Sequence, residues 1–249
     1  MTAPAWLTAR PVAHRALHDK ARGVVENTPS AVDAALAHGF AIEVDIQLSA
    51  DGEVMVFHDD TLERLTLATG PAHALTAARF KAVELRGTAD RTMTLDELLA
   101  RVGGQVPLVI ELKSRFDGET AVAQRAVEVL AGYGGPAALM SFDPDLVEAV
   151  RKLAPHIPRG ITMEHAYDDP EWDILTPATK FAWGNLLHFP RTRPDFIAHY
   201  VKELPSTAVS LARRAFRLPV LTWTVRSAED RAVAARHADQ MIFEGFVPD

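Results

Sequence analysis

The chain lacks cysteine entirely, which excludes disulfide bridges, thiolate zinc sites and cysteine nucleophiles. The chain also has fewer positive than negative residues, with a formal net charge of -7. This charge does not favour binding to nucleic acid or to an anionic membrane surface. No apolar run approaches the roughly 20 residues that cross a bilayer, and no signal-peptide pattern is present. We expect a cytoplasmic protein with no integral membrane segment and no nucleic-acid partner, its oligomeric state left open.

Short β-rich runs alternate with amphipathic helical segments, which is typical of parallel strands joined by crossover helices. Two of the runs, 40–47 and 53–58, are separated only by the turn SADGE and are interpreted as one strand with a hairpin extension. Eight crossover strands then remain, which predicts an α/β fold, a (β/α)₈ TIM-like barrel. The candidate runs are 11–15, 40–47, 53–58, 107–113, 137–142, 158–163, 195–201, 220–225 and 240–245.

The long connection after the second strand has an organisation of its own. Residues 61–96 exceed an ordinary loop and contain a Gly70-Pro71 turn. We expect them to form a small insertion on the rim of one barrel domain that spans residues 1–249.

Charged residues alternate with β-branched or apolar residues at the ends of two predicted strands. In IEVDI, Glu43 and Asp45 share one face, and in IELK, Glu111 and Lys113 do the same. In a barrel the apolar face meets the helices, so the charged side chains point inward, where isolated charges are costly. Either strand alone is explained as well by a structural ion pair. Two such strands at their carboxyl ends indicate the place where barrel enzymes carry their active site.

Three carboxylates without cysteine are the ligand set of a hard divalent cation, Mg²⁺ or Ca²⁺. Arg15 and Lys113 beside it favour an anion, such as a phosphate, that also touches the metal. His14 ends the first strand and His58 ends the hairpin extension, so both face the same mouth. A pair of histidines there can divide the acid and base work of a hydrolysis.

Six motifs, taken in order, resemble the glycerophosphodiester phosphodiesterase family. They are HR at 14–15, VENT at 25–28, EVDIQLSADGEVMVFHDDTLERLT at 43–66, IELK at 110–113, SFDPDLVEAVRKLAP at 141–155 and LTWTV at 221–225. The resemblance is dense from 12 to 66 and patchy from about 160 to 217. It implies a TIM-like barrel that hydrolyses glycerophosphodiesters, as its small-molecule substrates, to glycerol 3-phosphate and an alcohol.

The resemblance also implies a role for each matching residue. His14 and His58 match the acid/base histidines, while Glu43, Asp45 and Glu111 match the ligands of one divalent cation. The substrate-binding positions are matched by Arg15, Lys113, Glu26, Asn27 and Trp223, although an aromatic residue at a barrel strand end is as often part of the core.

The chain departs from the family pattern at the rim. Ala16 replaces the glycine usual after HR, the loop 17–25 is longer than common, and Arg226 stands where asparagine is frequent. The last strand, ADQMIFEG, is also atypical.

Other functions stay open. Within the family, choline- or ethanolamine-bearing lysolipids would be substrates of a lysophospholipase D-type activity and would require an apolar groove. A barrel that only binds lipid headgroups is a second alternative, which the occupied catalytic positions disfavour. Another metal-dependent barrel enzyme, such as a sugar isomerase or an endonuclease, usually takes ligands from later strands as well, and here these strands offer little beyond Glu164 and His199.

Overall fold

The computed structural model describes residues 3–168 and 170–248 and folds into a closed parallel barrel. The strands of the described residues are β1 (Val12–Ala13), β2 (Ala41–Leu48), β3 (Val54–Val56), β4 (Leu108–Leu112), β5 (Ala137–Ser141), β6 (Arg159–Met163), β7 (Phe196–Tyr200), β8 (Val220–Val225) and β9 (Gln240–Phe243). Eight pair in the ring order β1-β2-β4-β5-β6-β7-β8-β9, and β9 returns to β1. β3 is antiparallel to β2 and lies outside the ring. The predicted (β/α)₈ barrel and hairpin extension are confirmed.

Helices connect the strands on the outside of the barrel. They are α1 (Pro29–His38), α2 (Ala77–Ala82), α3 (Leu95–Val102), α4 (Ala121–Leu130), α5 (Pro144–Leu153), α6 (Pro177–Gly184), α7 (Phe189–Thr192), α8 (Thr207–Phe216) and α9 (Ala228–His237). The Thr94–Glu97 capping box opens α3 as its spacing predicts. Thr28 precedes α1, but its hydroxyl donates to the Val25 carbonyl instead of capping the helix. Within the described part of the chain, no helix is both long and apolar enough to span a membrane.

The barrel interior changes from apolar to charged along the strands. Its lower layers hold a buried cluster to which Val109, Phe196 and Leu221 belong. Phe196 fills this space because Gly160 opposite has no side chain, and a Cβ on Gly160 would lie 2.3 Å from the Phe196 ring. Further along β2 the inward residues are Glu43 and Asp45, while Ile42, Val44 and Ile46 pack in the cluster between strands and helices. The charged layer therefore lies at the carboxyl ends of the strands.

Two longer segments lie over this end of the barrel. The first, between β3 and α3, contains the short 3₁₀ helix Ala72–Ala74 and α2, and it has its own small core around Phe57 and Phe80. It coincides with the segment predicted as an insertion after the second strand. The second, between β6 and β7, contains the 3₁₀ helix Pro170–Ile174, α6 and α7. Both segments place side chains at the mouth of the barrel.

Candidate active site

Three carboxylates meet at the mouth of the barrel. Glu43, Asp45 and Glu111 are all buried, and each offers an oxygen that lies within 4.8 Å of the others. In the register of β2 and β4, Asp45 lies opposite Glu111, and Glu43 lies two residues earlier on the same face of β2, so the two strands bring the three acids together. Burial raises the pKa of Glu43 well above its usual range, and the charges of Asp45 and Glu111 raise it further. The sequence-predicted ligand set is therefore assembled in space.

Polar partners offset only part of this negative charge. Lys113 Nζ lies 2.9 Å from Glu111 Oε1 and 3.6 Å from Asp45 Oδ1. Asn27 Nδ2 donates to Asp45 Oδ2 at 3.0 Å. Burial alone would raise the pKa of Asp45, but the nearby His58 and Lys113 outweigh it and hold that pKa well below its usual range. Asp45 is thus an anion, while Glu43 lacks a side-chain cation of comparable proximity among the pairs of the described residues.

Arg15 reaches the same acids through a sharp turn of the chain. Its backbone N–H donates to Glu43 Oε2 at 2.8 Å, and its Nε lies 3.5 Å from Asp45 Oδ2. The turn places both Arg15 and Ala16 in the left-handed region, with φ of 51° and 63°. An alanine pays roughly 1–2 kcal/mol for that conformation. A glycine, which the resemblance leads us to expect at the position of Ala16, would adopt this conformation without that cost.

His14 is oriented by a carboxylate that directly follows the last strand. Its Nδ1 lies 2.7 Å from Glu244 Oε2, and Arg226 Nη2 donates to the same oxygen at 2.9 Å. Burial would raise the pKa of Glu244, but its hydrogen bonds with His14 and Arg226 lower it well below the usual range. A carboxylate only accepts, so Nδ1 carries the ring hydrogen and Nε2 keeps a lone pair for the cavity.

This arrangement predicts how acid affects the metal-free fold. Burial lowers the pKa of His14 from 6.5 to about 4, so between these values the unfolded chain binds a proton that the folded chain does not. The contribution of His14 to stability must then fall as the pH drops through that window. In chelator, we expect the loss of Tm between about pH 7 and about pH 5 to be larger in the wild type than in His14→Asn. Equal losses in both proteins would show that His14 does not titrate this way.

His58 is held in the same manner by a carboxylate of its own. Its Nδ1 lies 2.8 Å from Asp59 Oδ1. Arg64, from the segment after β3, donates through Nε and Nη2 to Asp59 at 2.6 Å. The same guanidinium donates through Nη1 and Nη2 to Glu26 at 2.8 Å, and Glu26 accepts from Arg15 Nη1 at 2.8 Å. One arginine therefore links the carboxylate that orients His58 with the carboxylate that orients Arg15.

The three clustered carboxylates, the two histidines, Arg15 and Lys113 line one cavity of about 630 Å³ at the carboxyl ends of the strands. Its far side is an aromatic wall formed by Phe142, Trp172, Tyr200 and Trp223. Phe142 lies 4.9 Å from Trp172 and 5.4 Å from Trp223, and Tyr200 lies 5.2 Å from Trp223, measured between ring centroids. The cavity thus has a charged half and an aromatic half, and Trp223 both lines the cavity and packs against the core cluster that contains Val109 and Leu221.

The structure brings most of the sequence-predicted site residues to this cavity. His14, Arg15, Glu43, Asp45, His58, Glu111, Lys113 and Trp223 line it. Glu26 and Asn27 lie just behind, where they contact Arg15 and Asp45. Sequence reasoning missed Glu244 and Arg64. Glu244 had one usable signal, because it follows the last strand as His14 follows the first, and these two strands close the barrel.

Comparison with known proteins agrees with this geometry. A profile of the glycerophosphoryl diester phosphodiesterase family matches residues 14–247. The chain belongs to this family. The predicted family and enzyme class are confirmed, and a protein from Caldanaerobacter subterraneus subsp. tengcongensis named glycerophosphodiester phosphodiesterase is 28% identical over 169 residues, covering 64% of this chain and 68% of that relative.

Solved structures similar to this glycerophosphodiester phosphodiesterase family member share its architecture. An Oleispira antarctica phosphodiesterase, solved in complex with the product sn-glycerol-3-phosphate, has a TM-score of 0.76 and 22% identity, covering 94% of this chain and 91% of its own. A glycerophosphodiester phosphodiesterase from Thermotoga maritima has a TM-score of 0.70 and 23% identity over 94% of each chain. At these identities the likeness shows the fold alone.

Proposed function

We propose that this chain is a metal-dependent phosphodiesterase that hydrolyses glycerophosphodiesters to glycerol 3-phosphate and an alcohol. Catalysis is assigned to His14 and His58, and one divalent cation, Mg²⁺ or Ca²⁺, to Glu43, Asp45 and Glu111. The observation that carries the proposal is the shared cavity, in which two carboxylate-held imidazoles and three clustered acids face the same space.

The acidic triplet, which consists of Glu43, Asp45 and Glu111, fits a hard cation because of its donor atoms. Only carboxylate oxygens are offered, and Mg²⁺ and Ca²⁺ prefer oxygen ligands. Burial and the charges of Asp45 and Glu111 raise the pKa of Glu43, and a bound cation would stabilise the ionised form of this buried carboxyl. When bound, the cation would act as a Lewis acid toward a phosphate oxygen.

The side chains of the charged half can perform the rest of the reaction. Arg15 and Lys113 face the cavity with their cationic groups and would bind the phosphoryl oxygens. One of the two imidazoles takes a proton from the attacking oxygen, which comes from water or from a substrate hydroxyl. The other gives a proton to the departing alcohol oxygen, and the roles of His14 and His58 are complementary in this sense.

A second candidate function is cleavage of lysolipids, favoured by the aromatic half of the cavity. The aromatic wall continues outward to Ile174, which lines the same cavity and is 62% exposed. Such a surface offers an acyl chain an apolar path away from the charged half. This is the kind of groove that lysolipid substrates require.

A substrate panel separates the two candidates and tests the metal. The purified protein is assayed against glycerophosphocholine, glycerophosphoethanolamine and lysophosphatidylcholine, each with Mg²⁺, with Ca²⁺ and with chelator. We expect turnover of the glycerophosphodiesters that chelator abolishes and that either cation restores. Turnover of the lysolipid alone, lost in Trp172→Ser, would favour the second candidate. Metal-independent turnover of every compound would contradict the role of the triplet.

Arg64 is predicted to position two parts of the site at once. Arg64→Met should lower kcat by about 10- to 100-fold, because Asp59 and Glu26 would each lose the two hydrogen bonds that this guanidinium donates and would be positioned less well. Arg64→Lys should recover little, since an ammonium lacks the planar fork that contacts both carboxylates. Added guanidinium ion should restore part of the activity of Arg64→Met.

The matched control for this change is Arg91→Met in the same segment, because the exposed Arg91 pairs with Glu84 and donates to the carbonyls of Ala89 and Asp90, away from the cavity. It should keep wild-type kcat. Equal kcat for Arg64→Met and the wild type, or a loss confined to thermal stability, would show that the contacts of Arg64 with Asp59 and Glu26 have no catalytic consequence.

A further inference from the structure

The left-handed turn at Arg15 and Ala16 has a second effect, which is to bring His18 back beside His14. The backbone N–H of His18 donates to the Ala16 carbonyl at 3.1 Å, so the chain reverses within one turn. A nitrogen of His14, a nitrogen of His18 and an oxygen of Glu244 then all lie within 4.8 Å of one another. His18 Nε2 is buried and has no hydrogen-bond partner among the described residues.

This group differs chemically from the acidic triplet in the same mouth. It offers two imidazoles and one carboxylate. Imidazole suits Zn²⁺ and similar transition metals, whereas an all-oxygen set suits Mg²⁺ or Ca²⁺. Two histidines and one glutamate are a recognised zinc ligand set. The two groups therefore select different ions.

We propose that His14, His18 and Glu244 form a second metal site, for Zn²⁺ or a similar transition metal ion, and that its occupation inhibits the enzyme. The inhibitory effect rests on the proposed role of His14. Without the ion, Nδ1 of His14 carries the hydrogen that Glu244 accepts, and Nε2 can take up a proton from the cavity side. With a metal ion on Nδ1, the ring hydrogen moves to Nε2, and this nitrogen can no longer accept one.

One cation must move for this site to fill. Arg226 Nη2 donates to Glu244 Oε2 at 2.9 Å, and Arg15 is the other cation close to His14. The Arg226 side chain is 55% exposed and can turn into solvent. Arg15 is held by Glu26 and the triplet, so its guanidinium is directed away from the histidines. Binding of the metal thus costs one solvent-exposed ion pair, which is a small term.

Zinc binding can be measured without any activity. In Glu43→Gln/Glu111→Gln, which removes two ligands of the triplet, calorimetric titration with Zn²⁺ should show one site. Adding His18→Asn should weaken it by at least about 10-fold, whereas His156→Asn, an exposed histidine before β6 at the other end of the barrel, should not. His18→Gln serves as a second variant, and circular dichroism checks the fold of each. No binding, or binding unaffected by either His18 change, overturns the proposal.

The activity measurement tests the inhibitory effect. With saturating Mg²⁺, added Zn²⁺ should inhibit the wild type and His156→Asn, while His18→Asn should keep its basal kcat and lose the inhibition. Equal inhibition of His18→Asn would place the zinc at the triplet and contradict the proposal, as would activation by Zn²⁺. Failure of the proposed function differs from failure of the zinc site. In the first case no variant would turn over substrate, although zinc binding would still be measured.

Discussion

Glu43→Gln is expected to lower turnover by at least about 10²-fold and, at the same time, to raise the Tm of the metal-free protein. The loss of turnover follows from losing a ligand of the cation, whose Lewis-acid effect is worth several kcal/mol. The gain in stability follows from removing a buried carboxylate whose pKa is raised by burial and by Asp45 and Glu111. Glutamine can still accept from the backbone N–H of Arg15 through its side-chain oxygen.

The opposite movement of activity and stability distinguishes a functional acid from a structural one. Mg²⁺ should raise the Tm of the wild type and have less effect on the variant, because binding to the folded state stabilises it. Glu119→Gln, at an exposed position outside the triplet, should change neither quantity. A variant at Glu43 that is less stable and fully active would identify this carboxylate as part of a structural ion-pair network.

His58→Asn is the second change with a large expected effect. It should lower kcat by about 10²- to 10⁴-fold with the fold intact, which is the usual scale of general acid/base catalysis. The wild-type rate should be bell-shaped in pH, and the variant should lose one limb of the bell. His14→Asn should lose the other limb, because the two imidazoles line the same cavity and have separate carboxylate partners.

His156→Asn again provides the matched control, with wild-type kcat and an unchanged pH profile. Retention of both limbs in His58→Asn would remove that residue from the proposed pair. The assignment of His14 would then have to stand on its own hydrogen bond with Glu244.

The charged half of the site could be predicted from sequence because it depends on local patterns. The alternation in IEVDI and IELK fixes which side chains share a face, and parallel strands in a barrel end at the same mouth. The structure bears out this placement through the register of Asp45 against Glu111. The turn residues Arg15 and Ala16 were also recognisable, but only as a motif and not as a left-handed turn.

The remaining parts of the site depend on contacts that the chain makes across long distances. Glu244 contacts His14 because β9 pairs with β1, and most of the chain lies between these two strands in sequence. Arg64 contacts Glu26 from the segment between β3 and α3, and the sequence of this segment has no periodic pattern that would predict its path over the rim. Trp172 joins the aromatic wall from the connection between β6 and β7, where the family resemblance is patchy. None of these long-range contacts follows from local sequence.

The most direct test of the central proposal is identification of the products. Glycerophosphocholine is incubated with the purified protein and Mg²⁺, and the phosphorus-containing product is followed by ³¹P NMR. The proposed function predicts glycerol 3-phosphate and free choline, formed by the wild type and not by Glu43→Gln or by His58→Asn on the same time scale. Phosphocholine as the product, or glycerol 3-phosphate formed equally by the wild type and both variants, would contradict it.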